Sequence, residues 1–505
     1  MKHIRKILQS AVFLSILVCT LLAANQVLVP KFLSRNSRWP TTASYHQFYR
    51  MKKNSIDVLV LGSSVTVNAF IPQEIYNEYG IRSFNLGSEQ QSLFLSYYWL
   101  REALRFQSPK AVVLDLRFIW DYHPDSPINT TESMTRKCLD PMRWSSVKRE
   151  AVRELCALDE SQSELSYYLT NLRYHTRWTD LQEYDFDSSM LLRPALMGFG
   201  PMPEDAFLPF EPYDPEDPTV FMSFSPVMQE YLDRTVQLCK EHDIELILLD
   251  LPGSNMNDHV NNTHAAYAKE HGISYYNLCI RENYEAIGAI LPRENIIMHA
   301  NIWGARKLSR FIGGVIRDTC GLQPVRDPQY EATAKYYEQA LSSCDLIKIT
   351  DPLEYLEALK SEHFAVFIAA HGNVSTVFHN AEQAQGGQEG LRQGLQNLGL
   401  GCRFPEDEPQ SYIAVIVGGK VAAEEFSPER LEVMGSFRNR HSMYQLMSDG
   451  TISDASSSIL IEGVQCSRFG YGLDIAVYDL NTCNVVDRVT LNGTELQRTE
   501  ITYLP

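Results

Sequence analysis

The sequence predicts an α/β protein in which an N-terminal transmembrane helix precedes a parallel-sheet domain and a smaller α+β domain. Three observations lead to this fold class. A long apolar stretch follows basic residues at the start of the chain. Strand patterns then alternate with helical patterns between residues 57 and 116, and the composition changes after a linker at residues 323–328. We expect domains at residues 1–33, 34–323 and 324–505.

The N-terminal segment has the composition of a membrane anchor. Three lysine or arginine residues among the first six positions precede a mostly apolar stretch from Ile7 to Val29, which is long enough to cross a bilayer. The positive flank favours a cytoplasmic N-terminus. We therefore expect a single-pass plasma-membrane protein with everything after Pro30 outside the cytoplasm. A cleaved signal peptide is the alternative, because residues 22–24 read Leu-Ala-Ala, as at a cleavage site.

The charge and the cysteine content exclude some functions. With a formal net charge of −17 over 505 residues, the chain lacks the basic face that nucleic acids require. The ten cysteines form no Cys-x-x-Cys motif, so their spacing does not indicate a zinc site. Disulfides between Cys320 and Cys344 or between Cys466 and Cys483 are compatible with the sequence, and so are free buried thiols. The sequence implies no metal or organic cofactor.

Alternating elements define the sheet of the second domain. Apolar runs of strand length are separated by segments with helical spacing, an order typical of a parallel α/β sheet. The predicted strands are residues 57–61, 81–86, 111–116, 244–250 and 273–277. The predicted helices are residues 72–79, 93–106, 226–242, 260–271 and 302–316.

Residues 120–224 interrupt this alternation and predict a partly helical insertion. The segment is rich in aromatic residues and ends in a proline-rich run at residues 201–218. Two interpretations are open. The insertion packs over the sheet, which is favoured, or it forms a lid that shapes a substrate groove.

Residues 324–505 predict a separate α+β or sandwich-like domain. Helical stretches at residues 330–341 and 388–398 accompany strands, and a turn at residues 479–482 predicts a terminal β-hairpin. The predicted strands are residues 364–369, 412–417, 457–462, 473–478 and 485–491.

The turn after the first strand carries the first candidate catalytic residue. Gly62 permits a tight turn, and Ser64 then stands at the carboxyl edge of the sheet, where open α/β folds place their sites. By itself, Gly-Ser-Ser favours an ordinary turn in which a serine caps the next helix. His299, on a loop before the last helix, is a candidate base that would make the Ser64 hydroxyl nucleophilic. A lone loop histidine is more often structural or solvated.

These segments together resemble the SGNH/GDSL hydrolase superfamily, specifically its membrane-anchored cell-envelope branch. Residues 62–66 are similar to the first block, Gly-Asp-Ser-x-Thr, with Ser63 in place of the aspartate. Residues 84–88 resemble the second block, and residues 299–305 resemble the last block. The resemblance covers roughly residues 55–318 and implies a three-layer α/β/α fold.

The resemblance also implies roles for individual residues. Ser64 falls on the nucleophile and His299 on the general base. Gly87 falls in the block whose backbone N–H helps to form the oxyanion hole, and Asn85 lies in the same block as a supporting residue. Arg117 is a substitute oxyanion donor, because the asparagine of the third block is absent.

The sequence departs from the family at the acid of the triad. The family's acid stands three residues before the histidine, where this chain has Ile296, so Glu294 or Asn295 would have to orient the imidazole. Losing the acid from a Ser-His-acid triad can lower kcat by about 10⁴. A slow Ser-His dyad, a transferase that needs a partner and an inactive relative are all compatible with this change.

The C-terminal domain resembles the interleukin-like EMT inducer (PANDER-like) domain. Residues 356–369 and 472–487 carry the resemblance, in an order permuted relative to the animal secreted forms. Relatives of that domain on glycosyl-transferring enzymes bind carbohydrate, so the resemblance implies a glycan-binding role. A structural appendage is the alternative.

The expected function follows from these resemblances. We expect a membrane-anchored, extracytoplasmic serine esterase or O-acyltransferase, a hydrolase-type enzyme whose partner is an acylated glycan or cell-envelope polymer. The alternative is a catalytically degenerate SGNH-like protein that serves as a glycan-binding or scaffold protein.

Overall fold

The computed structural model describes residues 2–120, 122–187, 191, 196–202, 210–253, 255–288, 290–382, 387–403, 410–438, 441–450 and 456–498. The chain divides into two compact units, Met1–Tyr337 and Glu338–Pro505. The predicted domain boundary after residue 323 precedes the helix Pro328–Asp345, within which the division between the units falls.

A parallel sheet forms the centre of the first unit. Its strands are β1 (Val58–Leu61), β2 (Ser83–Asn85), β3 (Ala111–Asp115), β4 (Glu245–Asp250) and β5 (Ser274–Asn277). Within the described residues these five strands lie in the order β2-β1-β3-β4-β5, and each neighbouring pair is parallel. Strands β1 to β3 are buried along their whole length, which explains their continuous apolar sequences. The predicted strands and the parallel sheet are confirmed.

Helices follow the strands as the sequence predicts, and further helices occupy the insertion. The helices of the first unit are α1 (Lys2–Leu28), α2 (Thr41–Phe48), α3 (Ser64–Ala69), α4 (Pro72–Tyr79), α5 (Leu93–Ala103), α6 (Glu132–Leu139), α7 (Ser146–Leu158), α8 (Glu164–Tyr168), α9 (Asn171–Tyr174), α10 (Glu183–Phe186), α11 (Pro226–Glu241), α12 (Asp258–His271), α13 (Arg281–Ala286) and α14 (Ile302–Cys320). The helix α15 (Pro328–Asp345) follows.

Two helices of the insertion belong to the core of the first unit. Helix α6 buries Cys138 and Leu139, and helix α7 buries Val152 and Leu155, in the same cluster as the β1 side chain Leu59. This part of the insertion packs against the body of the unit, as the favoured interpretation states.

Helix α1 contains a segment of membrane-spanning length. Residues Ile4–Leu28 have a mean hydropathy of 2.3 in their most apolar window, and among the described helices this is the one long and apolar enough to cross a bilayer. A signal sequence has the same properties.

The second unit contains a larger, mostly antiparallel sheet. Its strands are β6 (Phe364–His371), β7 (Ser411–Val417), β8 (Lys420–Ser427), β9 (Leu431–Phe437), β10 (Ser442–Asp449), β11 (Ser456–Ile461), β12 (Val464–Gln465), β13 (Gly472–Asp479), β14 (Asn484–Leu491) and β15 (Leu496–Arg498). Its helices are α16 (Pro352–Ala358), α17 (Val374–Ala381) and α18 (Gly387–Asn397).

Strand order in this sheet confirms the predicted hairpin and adds strands that were not predicted. Within the described residues the order is β12-β11-β10-β6-β13-β14-β15, with β7 paired to β6 and β8, and β9 paired to β10. Strands β13 and β14 form the expected antiparallel hairpin. Strands β8, β9 and β10 and the short strands β12 and β15 were not predicted. All ten cysteines lie in the described part of the chain and none of them forms a disulfide there, so neither candidate disulfide is present.

Candidate functional site

The strand order creates a crevice beside β1. Strand β2 lies on one side of β1 and β3 on the other, so the order reverses between β1 and β3. Open parallel sheets bind ligands at such a reversal, beyond the carboxyl ends of the strands. Leu61 of β1 is paired with Leu114 of β3, and the residues that follow these two strands therefore emerge side by side.

Ser64 begins helix α3 directly after this strand end. The turn is tight at Gly62, where a Cβ atom would lie 2.2 Å from Thr66 Oγ1 and 2.7 Å from Asp115 Cβ. Any larger residue would push the turn away from β3, because real Cβ contacts do not come this close. The glycine thus fixes the position from which Ser64 projects.

The carboxylate of Asp115 holds the same turn from the end of β3. Its Oδ2 accepts hydrogen bonds from Ser63 Oγ (3.3 Å) and Thr66 Oγ1 (3.1 Å), and its Oδ1 accepts one from the backbone N–H of Arg117 (3.2 Å). Burial raises the pKa of the Asp115 carboxyl, and the positive charge of Arg117 opposes that rise. Asp115 therefore positions the residues on both sides of Ser64 and does not contact its hydroxyl.

His299 lies on a loop that two asparagines hold in place. The side chain of Asn295 donates to the carbonyl oxygens of Ile297 (3.0 Å) and His299 (2.9 Å). The side chain of Asn301 accepts from the backbone N–H of Asn295 (3.0 Å) and caps helix α14 by accepting from Gly304 N (3.0 Å). The loop that carries His299 is therefore fixed to the start of α14.

The two candidate catalytic residues meet. Ser64 Oγ lies 2.9 Å from His299 Nε2, although 235 positions separate them in the chain. When the imidazole proton is on Nδ1, Ser64 donates to Nε2, which is the arrangement that lets the histidine take the serine proton. The indole ring of Trp39 covers the imidazole with a centroid distance of 5.3 Å. The fold thus brings the Ser64 hydroxyl, the His299 imidazole and the Trp39 indole ring together.

The charges near His299 favour its neutral form. Burial lowers the pKa of His299, and the positive charge of Arg117 lowers it further, while Glu89 acts in the opposite direction. Arg117 is 8% exposed, its Nε has no hydrogen-bond partner in the described structure, and its Nη2 lies 3.4 Å from Met298 Sδ. A buried guanidinium beside the serine–histidine pair is suited to binding a negative charge.

The predicted oxyanion residues of the second block are engaged elsewhere. The backbone N–H of Gly87 donates to Asn85 Oδ1 (3.0 Å). The Asn85 amide donates to the carbonyl oxygen of Thr66 (2.9 Å), which ties β2 to helix α3. Asn85 thus supports the turn that carries Ser64, Gly87 is bound to Asn85, and the Gly87 N–H is not directed at the Ser64 hydroxyl.

Neither candidate for orienting the imidazole contacts its ring. Glu294 binds Lys307 (2.5 Å) and accepts from the backbone N–H of Leu291 (2.7 Å). Asn295 reaches only the backbone carbonyl of His299, and Ile296 is buried without a polar group to offer. Among the described residues, no side chain or carbonyl accepts a hydrogen bond from His299 Nδ1. The arrangement in this part of the chain is a dyad.

Sequence reasoning missed two residues of the site. Trp39 belongs to the segment between the anchor and the first strand, and nothing in its neighbours indicates contact with a histidine 260 positions away. Asp115 is the last residue of β3 and the next-to-last residue of the predicted strand 111–116, and its position at the sheet edge was an available signal. The described residues hold no cluster of three or more His, Cys, Asp or Glu that could bind a metal ion.

Comparison of the chain with known protein families and with curated proteins gave no match. The case for a function therefore depends on the geometry of this site.

The pH dependence of Ser64 reactivity tests the charges around His299. Because only the neutral imidazole accepts a proton, reactivity falls as the pH drops through the pKa of His299, which is lowered below 6.5. Removing the positive charge with Arg117→Gln is expected to raise that pKa. The acid limb of the profile, where Ser64 reactivity falls with decreasing pH, then moves to higher pH. Removing the negative charge with Glu89→Gln is expected to move it to lower pH. The rate at which a fluorophosphonate, a reagent that reacts with activated serines, labels Ser64 is measured from pH 4 to 8 and reports both shifts.

Arg317→Gln is the matched control for the arginine variant, because Arg317 is exposed and pairs with the adjacent Asp318. Its acid limb should coincide with that of the unmodified protein. Limbs that move in the same direction for the Arg117 and Glu89 variants would contradict the electrostatic account.

Proposed function

We propose that this chain is an extracytoplasmic, membrane-anchored serine acyl esterase or O-acyltransferase with a three-layer α/β/α catalytic domain of SGNH type. The observation that carries the proposal is the 2.9 Å contact between Ser64 Oγ and His299 Nε2, at the point where the strand order of the parallel sheet reverses. A neutral histidine there can remove the serine proton, which is the requirement for nucleophilic attack on an ester.

Acyl transfer through this pair would proceed in two balanced steps. Ser64 Oγ attacks the ester carbonyl carbon while its proton passes to His299 Nε2, and the tetrahedral intermediate forms. The bond to the leaving alcohol then breaks, and His299 returns the proton to the alcohol oxygen. Water or an acceptor hydroxyl attacks the acyl-serine by the same route, giving hydrolysis or transfer respectively.

The developing oxyanion has two nearby donors in this proposal. The backbone N–H of Ser64 stands in the first turn of α3, and the guanidinium of Arg117 follows the neighbouring strand. Preorganised donors of this kind stabilise the intermediate, and losing one costs about 10²–10³ in kcat. Arg117 would therefore take the role of the third-block asparagine that this chain lacks.

The position of the site supports a substrate at the membrane surface. Trp39, which covers His299, follows Leu28, at the end of the apolar helix, by eleven positions. A chain of that length reaches at most about 40 Å. If α1 is retained as an anchor in the plasma membrane, the site lies close to the bilayer, where acylated glycans and polymers of the cell envelope are found.

A fluorophosphonate probe tests the proposal directly. It forms a covalent bond with an activated serine, so the full-length protein in detergent should be labelled at Ser64, as located by peptide mass spectrometry. Ser64→Ala should abolish the labelling. Ser457→Ala is the matched control, because Ser457 also contacts a histidine (His371 Nδ1, 3.2 Å) but is buried within the second unit.

A second candidate function is favoured by one observation. His299 Nδ1 lacks an acid partner in the described residues, and Ile296 occupies the acid's place, so the pair can also belong to a catalytically degenerate protein that binds glycans through its second unit. A folded protein that the probe does not label would favour this scaffold function over catalysis. Labelling at Ser64 would exclude it.

A further inference from the structure

Part of the insertion contacts the end of the apolar helix α1. We call residues 164–186, from α8 to α10, the collar. The side-chain amide of Asn171 donates to the carbonyl oxygen of Leu21 (3.3 Å). The side-chain oxygen of Asn25 accepts from Thr170 Oγ1 (3.0 Å) and from the backbone N–H of Asn171 (3.1 Å). The collar therefore contacts α1 well before the helix ends at Leu28.

Charged groups secure the same contact at the end of the helix. Arg177 donates to the carbonyl oxygen of Leu28 (3.0 Å), and Lys31 donates to that of Gln26 (2.7 Å). Both cations lie at the negative end of the helix dipole, which favours them there. Asp185 binds Arg177 at 2.7 Å and Lys31 at 3.5 Å, so one carboxylate joins the two cations and offsets one of their charges.

The collar is also fixed to the body of the first unit. Arg173 of α9 makes a two-point contact with Glu132 of α6 (2.9 and 2.8 Å). The hydroxyl of Tyr174 donates to Asp140 (2.6 Å), and the guanidinium of Arg136 lies 3.6 Å from the centre of the Tyr167 ring. The collar thus couples the direction of α1 to the orientation of the unit that carries Ser64.

Large apolar side chains of the collar point outward. Leu165, Leu169, Leu172, Trp178 and Phe186 are each exposed, from 47% for Leu169 to 70% for Trp178. Exposed apolar side chains concentrated in one short segment mark an interaction surface.

The level of the collar along α1 indicates what covers these side chains. Leu21, which Asn171 contacts, precedes Leu28 by seven residues. At 1.5 Å per residue, this places the contact about 10 Å before the end of the apolar span. If the hydrocarbon core begins at Ile4, its thickness of about 30 Å takes about 20 residues and ends near residue 23. The collar contacts at Leu21 and Asn25 then lie on either side of its outer boundary. Tryptophan is the residue that favours this region most.

We infer that the collar is a membrane-contacting surface whose apolar side chains insert into the outer interface of the bilayer crossed by α1. The inference rests on the proposed retention of α1 as an anchor and extends beyond the proposed acyl chemistry. The exposed charged residues Asp180 and Glu183 keep the insertion at headgroup depth. The consequence is a catalytic unit held on the membrane surface in one orientation, facing substrates attached to or lying along that surface.

Quenching of tryptophan fluorescence by brominated lipid tests the inference. The full-length chain is reconstituted in nanodiscs of phosphatidylcholine with or without bromine in its acyl chains. The unmodified protein should lose more fluorescence to bromine than Trp178→Phe. A tryptophan restored at collar position 172 (W178F/L172W) should recover the quenching. A tryptophan at His242, an exposed residue before β4 at the sheet edge opposite Ser64 (W178F/H242W), should not.

Two results would overturn the inference. Quenching of Trp178 by aqueous iodide with no effect of brominated lipid would place the collar in water. Protection from both quenchers would show that protein, such as a second copy of the chain, covers it. Intact-mass measurement of the purified chain shows separately whether α1 is retained, and probe labelling of Ser64 reports on the acyl chemistry, so the three claims can fail independently.

Discussion

A His299→Gln variant is expected to lose about 10²–10⁴-fold in the rate at which Ser64 is acylated, the contribution typical of a positioned general base. Glutamine retains a side chain that can hydrogen-bond to Ser64 Oγ, but it cannot take the proton at neutral pH. The burst phase of an activated nitrophenyl ester, followed by stopped flow, measures the acylation rate. Unfolding by urea shows whether the substituted protein keeps its stability.

The control for this variant is His379→Gln, whose side chain is 78% exposed and belongs to the second unit. It should acylate at the unmodified rate. Equal rates for the His299 variant and the unmodified protein, with both folded, would show that His299 is not the base and that another group activates Ser64.

The elements that form the sheet of the first unit could be predicted because burial imposes a simple pattern on them. Strands β1 and β3 are covered on both faces, so their sequences are continuous apolar runs that stop at the sheet edge. The same pattern places Ser64 at a strand end. The helical pattern of residues 302–316 places His299 on the loop before the last helix, and the resemblance adds its expected role as the general base.

Strands β8 and β9 were missed because they are largely exposed. Strand β8 reads Lys-Val-Ala-Ala-Glu-Glu-Phe-Ser, which lacks both a continuous apolar run and a regular alternation. Strand β9 alternates between partly buried and exposed positions and contains Gly435, which weakens the strand pattern. Their pairing with β7 and β10 depends on the neighbouring strands, and that information is not local in the sequence.

The residues that hold Ser64 and His299 in place were hardest to predict because they come from distant segments of the chain. The tilted ring contact between Trp39 and His299 joins the segment after α1 to the loop before α14. Asp115 takes hydrogen bonds from Ser63 and Thr66 across two strands, and Ser63 stands where the family carries an aspartate. A carboxylate thus lies near the turn that carries Ser64, although it comes from the end of β3 and not from residues 62–66 themselves.

Gly304→Ala is expected to disturb both the fold and the site through a single clash. A Cβ atom at Gly304 would lie 2.1 Å from the carbonyl oxygen of Asn295, and backbone cannot move away as a flexible side chain can. Overpacking of this kind typically destabilises by about 1–3 kcal/mol. Because Asn295 holds the carbonyl of His299, the shift is passed to the imidazole, and a displacement of about 1 Å can lower the rate about 10²-fold. Urea unfolding and the burst rate measure the two effects.

Gly314→Ala, on the same helix α14, is the control that distinguishes the effect of the backbone clash from the effect of replacing a helical glycine with alanine. Its Cβ would lie 3.3 Å from the Tyr79 hydroxyl and contact no backbone, so only a small shift of that phenol is needed. Alanine is favoured over glycine within a helix by about 1 kcal/mol, and we expect unchanged or slightly higher stability and an unchanged burst rate. If the two variants behaved alike, the loop before α14 would not control His299. A rate loss confined to Gly304→Ala would show that the packing of one glycine against the Asn295 carbonyl keeps the base within reach of Ser64.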